Sequence, residues 1–169
     1  MKVLFHLNAT LFLMVWFIFL APRAYGSEQI FSLEIAALKE PVRAGAELRL
    51  SVTVKNTSNR PISFITSPGP IPDDSFYYEI HVLDTRGKSA PPSAEMRLRD
   101  PHLPTYFGSR FSRELRPGES FVEEINVTRY YELNRPGKYM IVVSREFPPS
   151  QNLGQGKVKS NSISVTVVR

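Results

Sequence analysis

The sequence contains no cysteine, which limits both what holds the fold together and which chemistry it supports. Without cysteine there are no disulfides and no lipid-attachment site, and thiol catalysis and thiolate metal sites are excluded. We therefore expect apolar burial alone to stabilise the fold. Histidine is also scarce, with three residues, and the single tryptophan, Trp16, lies near the N-terminus. No Gly-x-Ser-x-Gly, Gly-rich phosphate-loop or His-Glu-x-x-His motif occurs, so no catalytic motif is apparent.

The N-terminal segment has the three parts of a secretory signal peptide. Lys2 supplies the positive start, residues 11–21 form an uninterrupted apolar run, and Ala24 and Gly26 place small residues before a cleavage point. We predict cleavage after residue 26 and export to the periplasm or the extracellular space. The alternative is a retained membrane anchor, but the apolar run is much shorter than the roughly 20 residues that span a bilayer. No later segment is apolar enough to span one.

Residues 27–169 then form a single domain, long enough to bury its own core. Removal of Lys2 and Arg23 leaves 19 basic and 16 acidic residues, so the net charge falls from +5 to +3. Such a small excess argues against a nucleic-acid partner. Two Asn-x-Ser/Thr sequons within residues 27–169, at Asn56 and Asn126, matter only in a host that glycosylates.

Alternating apolar residues predict an all-β domain. The clearest strand runs from Leu48 to Val54, where every second residue is apolar and the others are polar. Clusters of Pro, Gly, Asn and Asp separate it from similar stretches. We count seven or eight strands and almost no helix, which predicts an immunoglobulin-like antiparallel β-sandwich. The other alternating sets are Phe31/Leu33/Ile35, Phe76/Tyr78/Ile80/Val82, Phe121/Ile125/Val127, Tyr139/Ile141/Val143 and Ile163/Val165/Val167.

The residues Pro136, Gly137 and Tyr139 predict a tyrosine corner. Pro136-Gly137 makes a turn, and Tyr139 lies at the start of the strand that follows. In a tyrosine corner the ring packs into the core and the hydroxyl bonds to an upstream backbone group. Ile141 stands where disulfide-bonded sandwiches carry a cysteine, and we expect Leu50 or Val52 to be its apolar partner across the core.

Three segments upstream of Pro136-Gly-Lys-Tyr139 occur in a familiar order: VKNTSNRPISF at 54–64, YYEIHVLDTRGK at 77–88 and LRPGES at 115–120. Together they resemble the bacterial proteinase-inhibitor domains of the BsuPI type, which are immunoglobulin-like. The resemblance covers most of residues 27–169 and implies a sandwich fold and proteinase inhibition. The sequence departs from the family's pattern by a proline-rich loop before the second segment and by a much longer connection at about 88–113.

The long connection at about residues 88–113 is the candidate partner-binding segment. It has no strand periodicity, and loops of this length in compact domains are usually functional or mobile. It is rich in arginine and aromatic residues, which are the types that carry protein interfaces. The alternative is that the aromatic rings cap one end of the sandwich while the arginines are solvated. The candidate partner-binding residues are Arg97, Arg99, Tyr106, Phe107, Arg110 and Phe111.

Two sets of residues are weaker candidates for a metal site. Glu79 and His81 are two residues apart on a predicted strand and share its outward face, and His102 could join them from the long connection. Asp73 and Asp74, in the proline-rich loop, could ligate calcium. We interpret both sets as solvated polar residues.

We therefore predict a non-catalytic exported domain, without a cofactor, that binds a partner protein. Recognition would use loops at one end of the sandwich or strand addition to an exposed sheet edge. The alternatives are a proteinase inhibitor, which the resemblance implies, and a metal-assisted hydrolase that uses Glu79, His81 and His102.

Overall fold

Ten β-strands and two short helical segments make up the described part of the computed structural model, which covers residues 30–66, 78–98, 111–146 and 157–169. Eight of these strands have five residues or more, which confirms the predicted strand content and the near absence of helix. In chain order the elements are β1 (Phe31–Ala37), β2 (Val42–Arg43), β3 (Arg49–Asn56), β4 (Ile62–Thr66), β5 (Glu79–Asp84), α1 (Ala94–Leu98), β6 (Phe111–Leu115), β7 (Ser120–Asn126), a 3-10 helix (Val127–Arg129), β8 (Gly137–Glu146), β9 (Lys157–Lys159) and β10 (Ile163–Val168).

The strands form two main sheets and one additional ladder. The first sheet has the order β1-β3-β7, and the second has the order β2-β10-β8-β5 with β9 paired to β8. All pairings are antiparallel except that of the two-residue β2 with β10. β4 and β6 form a separate antiparallel ladder. This arrangement is the predicted all-β, immunoglobulin-like antiparallel sandwich.

The core follows directly from the strand alternation. Leu50, Val52 and Val54 of β3 are completely buried, and so are Ile141 and Val143 of β8. The position that carries a cysteine in disulfide-bonded sandwiches is therefore occupied by a buried isoleucine in an apolar interior. Because the chain has no crosslink, the burial of these aliphatic side chains is the main force that holds the sheets together.

Several element boundaries differ from the prediction. Val42–Arg43, where Pro41 and Gly45 predict a turn, pair with the end of β10, and Lys157, predicted to be the last residue of a loop, begins a short strand that pairs with β8. Residues 111–113 were assigned to the long connection but pair with β4. Val127, expected in a strand, begins a 3-10 helix because the Asn126 side chain caps that helix. Two- and three-residue strands contain too few positions to show alternation, so long-range pairing alone creates them.

Tyr139 lies two residues after the start of β8. Its ring is buried, and its hydroxyl donates a hydrogen bond of 2.9 Å to the carbonyl oxygen of Arg135. This bond back to the preceding turn is the interaction that defines a tyrosine corner. It ties the chain before Pro136 to the start of β8 and so orients the loop that precedes this strand.

Asn56, the last residue of β3, joins two stretches of chain through its side-chain amide. Its Oδ1 accepts hydrogen bonds from the Ser58 backbone N–H at 2.9 Å and from the Ser58 hydroxyl at 2.7 Å. Its Nδ2 donates to the carbonyl oxygens of Arg60 at 2.8 Å and Leu115 at 3.0 Å. The side chain is fully buried. The Asn56 amide therefore makes all four hydrogen bonds that such a side chain ordinarily makes. The asparagine of this sequon thus has a structural role inside the fold.

A buried polar cluster of Tyr78, Glu123 and Arg145 connects the two sheets. Glu123 lies on β7 and Arg145 on β8, while Tyr78 directly precedes β5. Arg145 Nη1 donates to the Tyr78 hydroxyl at 2.8 Å and lies 3.3 Å from Glu123 Oε1. The Tyr78 hydroxyl donates to the same carboxylate, and the guanidinium lies 4.9 Å from the centre of the Tyr78 ring. Only 3% of the Arg145 side chain is exposed, so this ion pair is shielded from solvent.

We expect this cluster to make stability depend on alkaline pH. Burial raises the pKa of Tyr78 well above its ordinary value; Arg145 opposes this shift, and Glu123 adds to it. A group whose pKa is raised in the folded state stabilises the fold below its unfolded value, about 10, and this stabilisation is lost as pH rises further. The free energy of unfolding should therefore fall above about pH 10.

The variant Tyr78→Phe should weaken this pH dependence. The measurement is urea unfolding at intervals from about pH 8 to about pH 11, which gives the slope of stability against pH. Tyr131→Phe is the matched control, because partial burial raises the pKa of Tyr131 as well, and it should remove a smaller part of the slope. A Tyr78→Phe slope equal to that of the unchanged protein would contradict the prediction.

Candidate binding site at one end of the sandwich

An open polar cleft lies where the turn after β2, the start of α1 and the chain between β7 and β8 meet. Its volume is about 390 Å³, which is within the range of small ligand and side-chain pockets. The lining contains carboxylate, guanidinium, hydroxyl and amide groups. It consists of Gly45 and Glu47, residues 93–95, Asn126, Thr128 and Arg129, and residues 131–134.

Ser93 fixes α1 against one wall of the cleft. Its hydroxyl accepts a hydrogen bond from the Met96 backbone N–H at 3.1 Å, as an N-cap residue does, and donates to the carbonyl oxygen of Arg129. Its own N–H donates to the carbonyl oxygen of Tyr130 at 2.9 Å. The short helix is thus held by partly buried hydrogen bonds rather than by its own propensity, since five residues are too few to form a stable helix alone.

The opposite wall is held by the turn after β2. The Gly45 N–H donates to the carbonyl oxygen of Leu133 at 3.1 Å, which links this turn to the chain that leads into the tyrosine corner. Gly45 has a φ of 76°, a backbone conformation that residues with a Cβ rarely adopt. The cleft is therefore built on backbone bonds between segments that the core already positions.

Two ion pairs bridge α1 and the chain after β7. Arg129 Nη2 lies 2.7 Å from Glu95 Oε1, and Arg97 Nη2 lies 2.6 Å from Glu132 Oε1. Arg97 also donates to the carbonyl oxygen of Pro92 at 2.9 Å. Half of the Arg97 side chain is exposed, and exposed ion pairs contribute little to stability. The charges of a partner could therefore replace these pairs at small energetic cost.

Only part of the predicted partner-binding set lies in the described residues. Arg97 is on α1, beside the cleft and paired with Glu132. Phe111 is the first residue of β6, and its side chain lies outside the described part of the structure. The remaining residues of the set, Arg99, Tyr106, Phe107 and Arg110, lie outside the described ranges.

The sequence prediction did not include Arg129 or the two glutamates of the ion pairs, Glu95 and Glu132. Glu95 and Arg129 are 34 residues apart, and Arg97 and Glu132 are 35 apart, so no local spacing pairs them. The available signal was the proximity of residues 129–132 to the predicted tyrosine corner, which brings that stretch to one end of the sandwich.

The predicted metal candidates form pairs rather than a larger cluster. His81 Nε2 lies 3.1 Å from Glu79 Oε1, and the Lys157 ammonium pairs with the other oxygen of the same carboxylate. Within the described ranges, no group of three or more histidine, aspartate or glutamate side chains is placed to hold a metal ion. The residues Asp73, Asp74 and His102 lie outside those ranges.

In the part of the chain that the structure describes, no helix combines the length and apolar character needed to cross a bilayer.

No family model matches the sequence, and no curated protein matches it. Solved structures with a similar fold include a β-glucosidase from Erythrobacter marinus, 18% identical with a TM-score of 0.40, and one from Listeria innocua, 15% identical with a TM-score of 0.41. A CARDB domain from Pyrococcus furiosus is 15% identical with a TM-score of 0.38. Each match covers 82% of this chain, but only 15% and 16% of the glucosidases, against 87% of the CARDB domain. These are similarities of fold alone.

Proposed function

We propose that this protein is a non-catalytic, exported binding module that recognises a partner protein through the cleft end of the sandwich. The observation that carries the proposal is the presence of two ion pairs beside an open polar cleft, Arg97 with Glu132 and Arg129 with Glu95. The fold orders their charges, yet the Arg97 and Glu95 side chains remain exposed. This combination favours electrostatic complementarity with a partner.

Two further features support recognition at this end. Leu98, the last residue of α1, has 87% of its surface exposed directly beside Arg97. A partner that covers the cleft would bury this side chain and gain apolar area together with the charge contacts. The helix is also fixed by Ser93, so little ordering entropy is lost on binding.

The proposal is tested by charge reversal. The bait is the domain comprising residues 27–169, and capture from envelope and culture fractions is quantified by mass spectrometry. Arg97→Glu should reduce capture of the enriched partner about tenfold, because it replaces an attractive contact with a repulsive one. Lys55→Glu, at the far end of β3, is the matched control and should leave capture unchanged. Equal capture by both variants, or no enriched protein, would refute the proposal.

Proteinase inhibition is a second candidate, favoured by the resemblance to BsuPI-type domains. The segment at 115–120, one of the motifs that carries the resemblance, forms the turn between β6 and β7, with Gly118 at a φ of 77°. The Glu119 carboxylate accepts a hydrogen bond of 2.7 Å from the Arg116 N–H and rigidifies this turn. A panel of proteinases assayed with micromolar domain tests this candidate, and full residual activity throughout would remove it.

A further inference from the structure

The free edge of β1 is closed by the Asn161 side chain and by a parallel bridge between Leu33 and Ser160. The Ile35 N–H donates to Asn161 Oδ1 at 2.8 Å, and Asn161 Nδ2 donates back to the Ile35 carbonyl oxygen at 3.1 Å. Asn161 lies in the turn between β9 and β10, so it reaches across from the second sheet. It occupies the backbone groups that an added strand would need, which protects this edge against pairing.

The free edge of β5 is closed by other means. The carbonyl oxygen of Val82 accepts a hydrogen bond from the Ala90 N–H at 2.8 Å, and the carbonyl oxygen of Ile80 accepts one from the Tyr131 hydroxyl at 2.7 Å. A bridge between Leu83 and Ser89 continues this cover. The chain after β5 therefore folds back along its own edge.

The edge of β7 is different. The Val127 N–H donates to the Leu48 carbonyl oxygen, and the register of β3 with β7 then assigns the odd-numbered residues of β7 to the hydrogen bonds with β3. The backbone N–H and C=O groups of Val122 and Glu124 consequently point away from β3. Within the described ranges no strand pairs with them. β7 contains no lysine, proline or bulge, and its charged residues, Glu123 and Glu124, are both acidic, so they disfavour an acidic added strand but not a basic one.

We propose that the edge of β7 accepts an extended segment of the partner protein as an added strand. This inference rests on the proposed binding function and assigns it a second surface. Only an extended polypeptide supplies the alternating donors and acceptors that the Val122 and Glu124 backbone groups require.

The side chains of the edge set the composition of that segment. Val122 is 56% exposed and favours an apolar residue opposite it. The Glu124 side chain is 55% exposed, and its carboxylate forms only a long ion pair of 3.8 Å with Arg49 Nη1. The carboxylate is therefore accessible to a second basic group. The segment should therefore carry an apolar residue and, two positions away on the same face, a lysine or arginine.

Amide hydrogen exchange of the domain tests whether the edge is open. The Val122 and Glu124 amides should exchange rapidly, while those of Glu123 and Ile125 are protected by β3. Protection of Val122 at every protein concentration would mean that the chain covers its own edge. Protection that grows with concentration would mean that a second copy covers it. Either result overturns the proposal.

A synthetic peptide tests what the edge accepts. The probe is acetyl-Thr-Val-Thr-Lys-Thr-amide at millimolar concentration, and the readout is the shift of the Val122 and Glu124 amide resonances. We expect saturable shifts and slowed exchange at both amides. A peptide with glutamate in place of lysine should bind about fivefold more weakly. A peptide N-methylated at its Val and Lys amides, which face Val122 and Glu124 in an antiparallel added strand, should not bind. Absent shifts, or equal shifts with the N-methylated peptide, would overturn the proposal.

Two variants complete the test. Val122→Pro removes an outward N–H without removing a bond to β3, so it should abolish peptide binding, whereas Val122→Thr keeps the N–H and should retain it. Glu124→Lys leaves the backbone unchanged and should reverse the preference between the lysine and glutamate peptides, a result that does not depend on how well the proline variant folds. Unchanged preference would overturn the proposal. Arg97→Glu should leave peptide binding intact, so failure at the edge and failure at the cleft are distinguishable.

Discussion

Replacement of Asn56 by alanine is expected to lower the free energy of unfolding by about 3 kcal/mol. The truncation removes four hydrogen bonds of the fully buried amide. It also removes the Asn56 partner of the Leu115 carbonyl oxygen and of the Ser58 N–H and hydroxyl groups. Buried groups without partners account for most of this loss, since each costs about 1–3 kcal/mol.

The second sequon supplies the control for this experiment. The Asn126 side chain is only partly buried and accepts from the Thr128 N–H at 3.1 Å and the Thr128 hydroxyl at 2.6 Å. Asn126→Ala should therefore cost about 1 kcal/mol, as the loss of a helix cap does. Thermal unfolding should show a fall of about 10 °C for Asn56→Ala and a much smaller fall for Asn126→Ala. Equal shifts for the two variants would mean that Asn56 is an ordinary turn residue.

Removal of Arg145 alone is expected to destabilise the protein by about 3–5 kcal/mol. Arg145→Leu keeps much of the apolar contact but leaves the Glu123 carboxylate without its cation in a site where only 14% of that side chain is exposed. The Tyr78 hydroxyl loses the bond from Arg145 as well. Urea unfolding at neutral pH measures the change.

The triple variant Tyr78→Phe, Glu123→Leu, Arg145→Leu separates the cost of a broken cluster from the net value of an intact one. Desolvation of the charges offsets most of their attraction, so apolar replacement of the whole cluster should return stability to within about 1 kcal/mol of the unchanged protein. A triple variant as unstable as Arg145→Leu would show that the ionic cluster itself stabilises the sandwich.

The sheets could be predicted from the sequence because each long strand shows its buried face locally. β3 alternates polar and apolar residues from Arg49 to Lys55, and β8 buries every second residue from Tyr139 to Val143. The fold class follows from such patterns and from turn residues, both of which are readable within ten residues. The tyrosine corner is equally local, since Tyr139 and its acceptor Arg135 are four residues apart.

The polar interactions that complete the fold could not be predicted in the same way. Asn161 and Ile35 are 126 residues apart, and Arg145 and Tyr78 are 67 apart. Their pairing depends on the three-dimensional arrangement of strands, which periodicity does not encode. The candidate site shows the same division: Arg97 was predicted as a binding residue from its residue type, whereas its pairing with Glu132 required the structure. The contribution of Tyr106, Phe107 and Arg110 stays a prediction.

The burial of Asn56 also bears on where the protein can be produced. In a eukaryotic secretory compartment, oligosaccharides are attached to Asn-x-Ser/Thr side chains as the chain enters, ahead of folding. A sugar on Nδ2 of Asn56 would replace a donor to the Arg60 or Leu115 carbonyl oxygen and place a large hydrated group inside the protein. A chain glycosylated there would be trapped unfolded, so the fold is compatible with export only where this sequon goes unmodified.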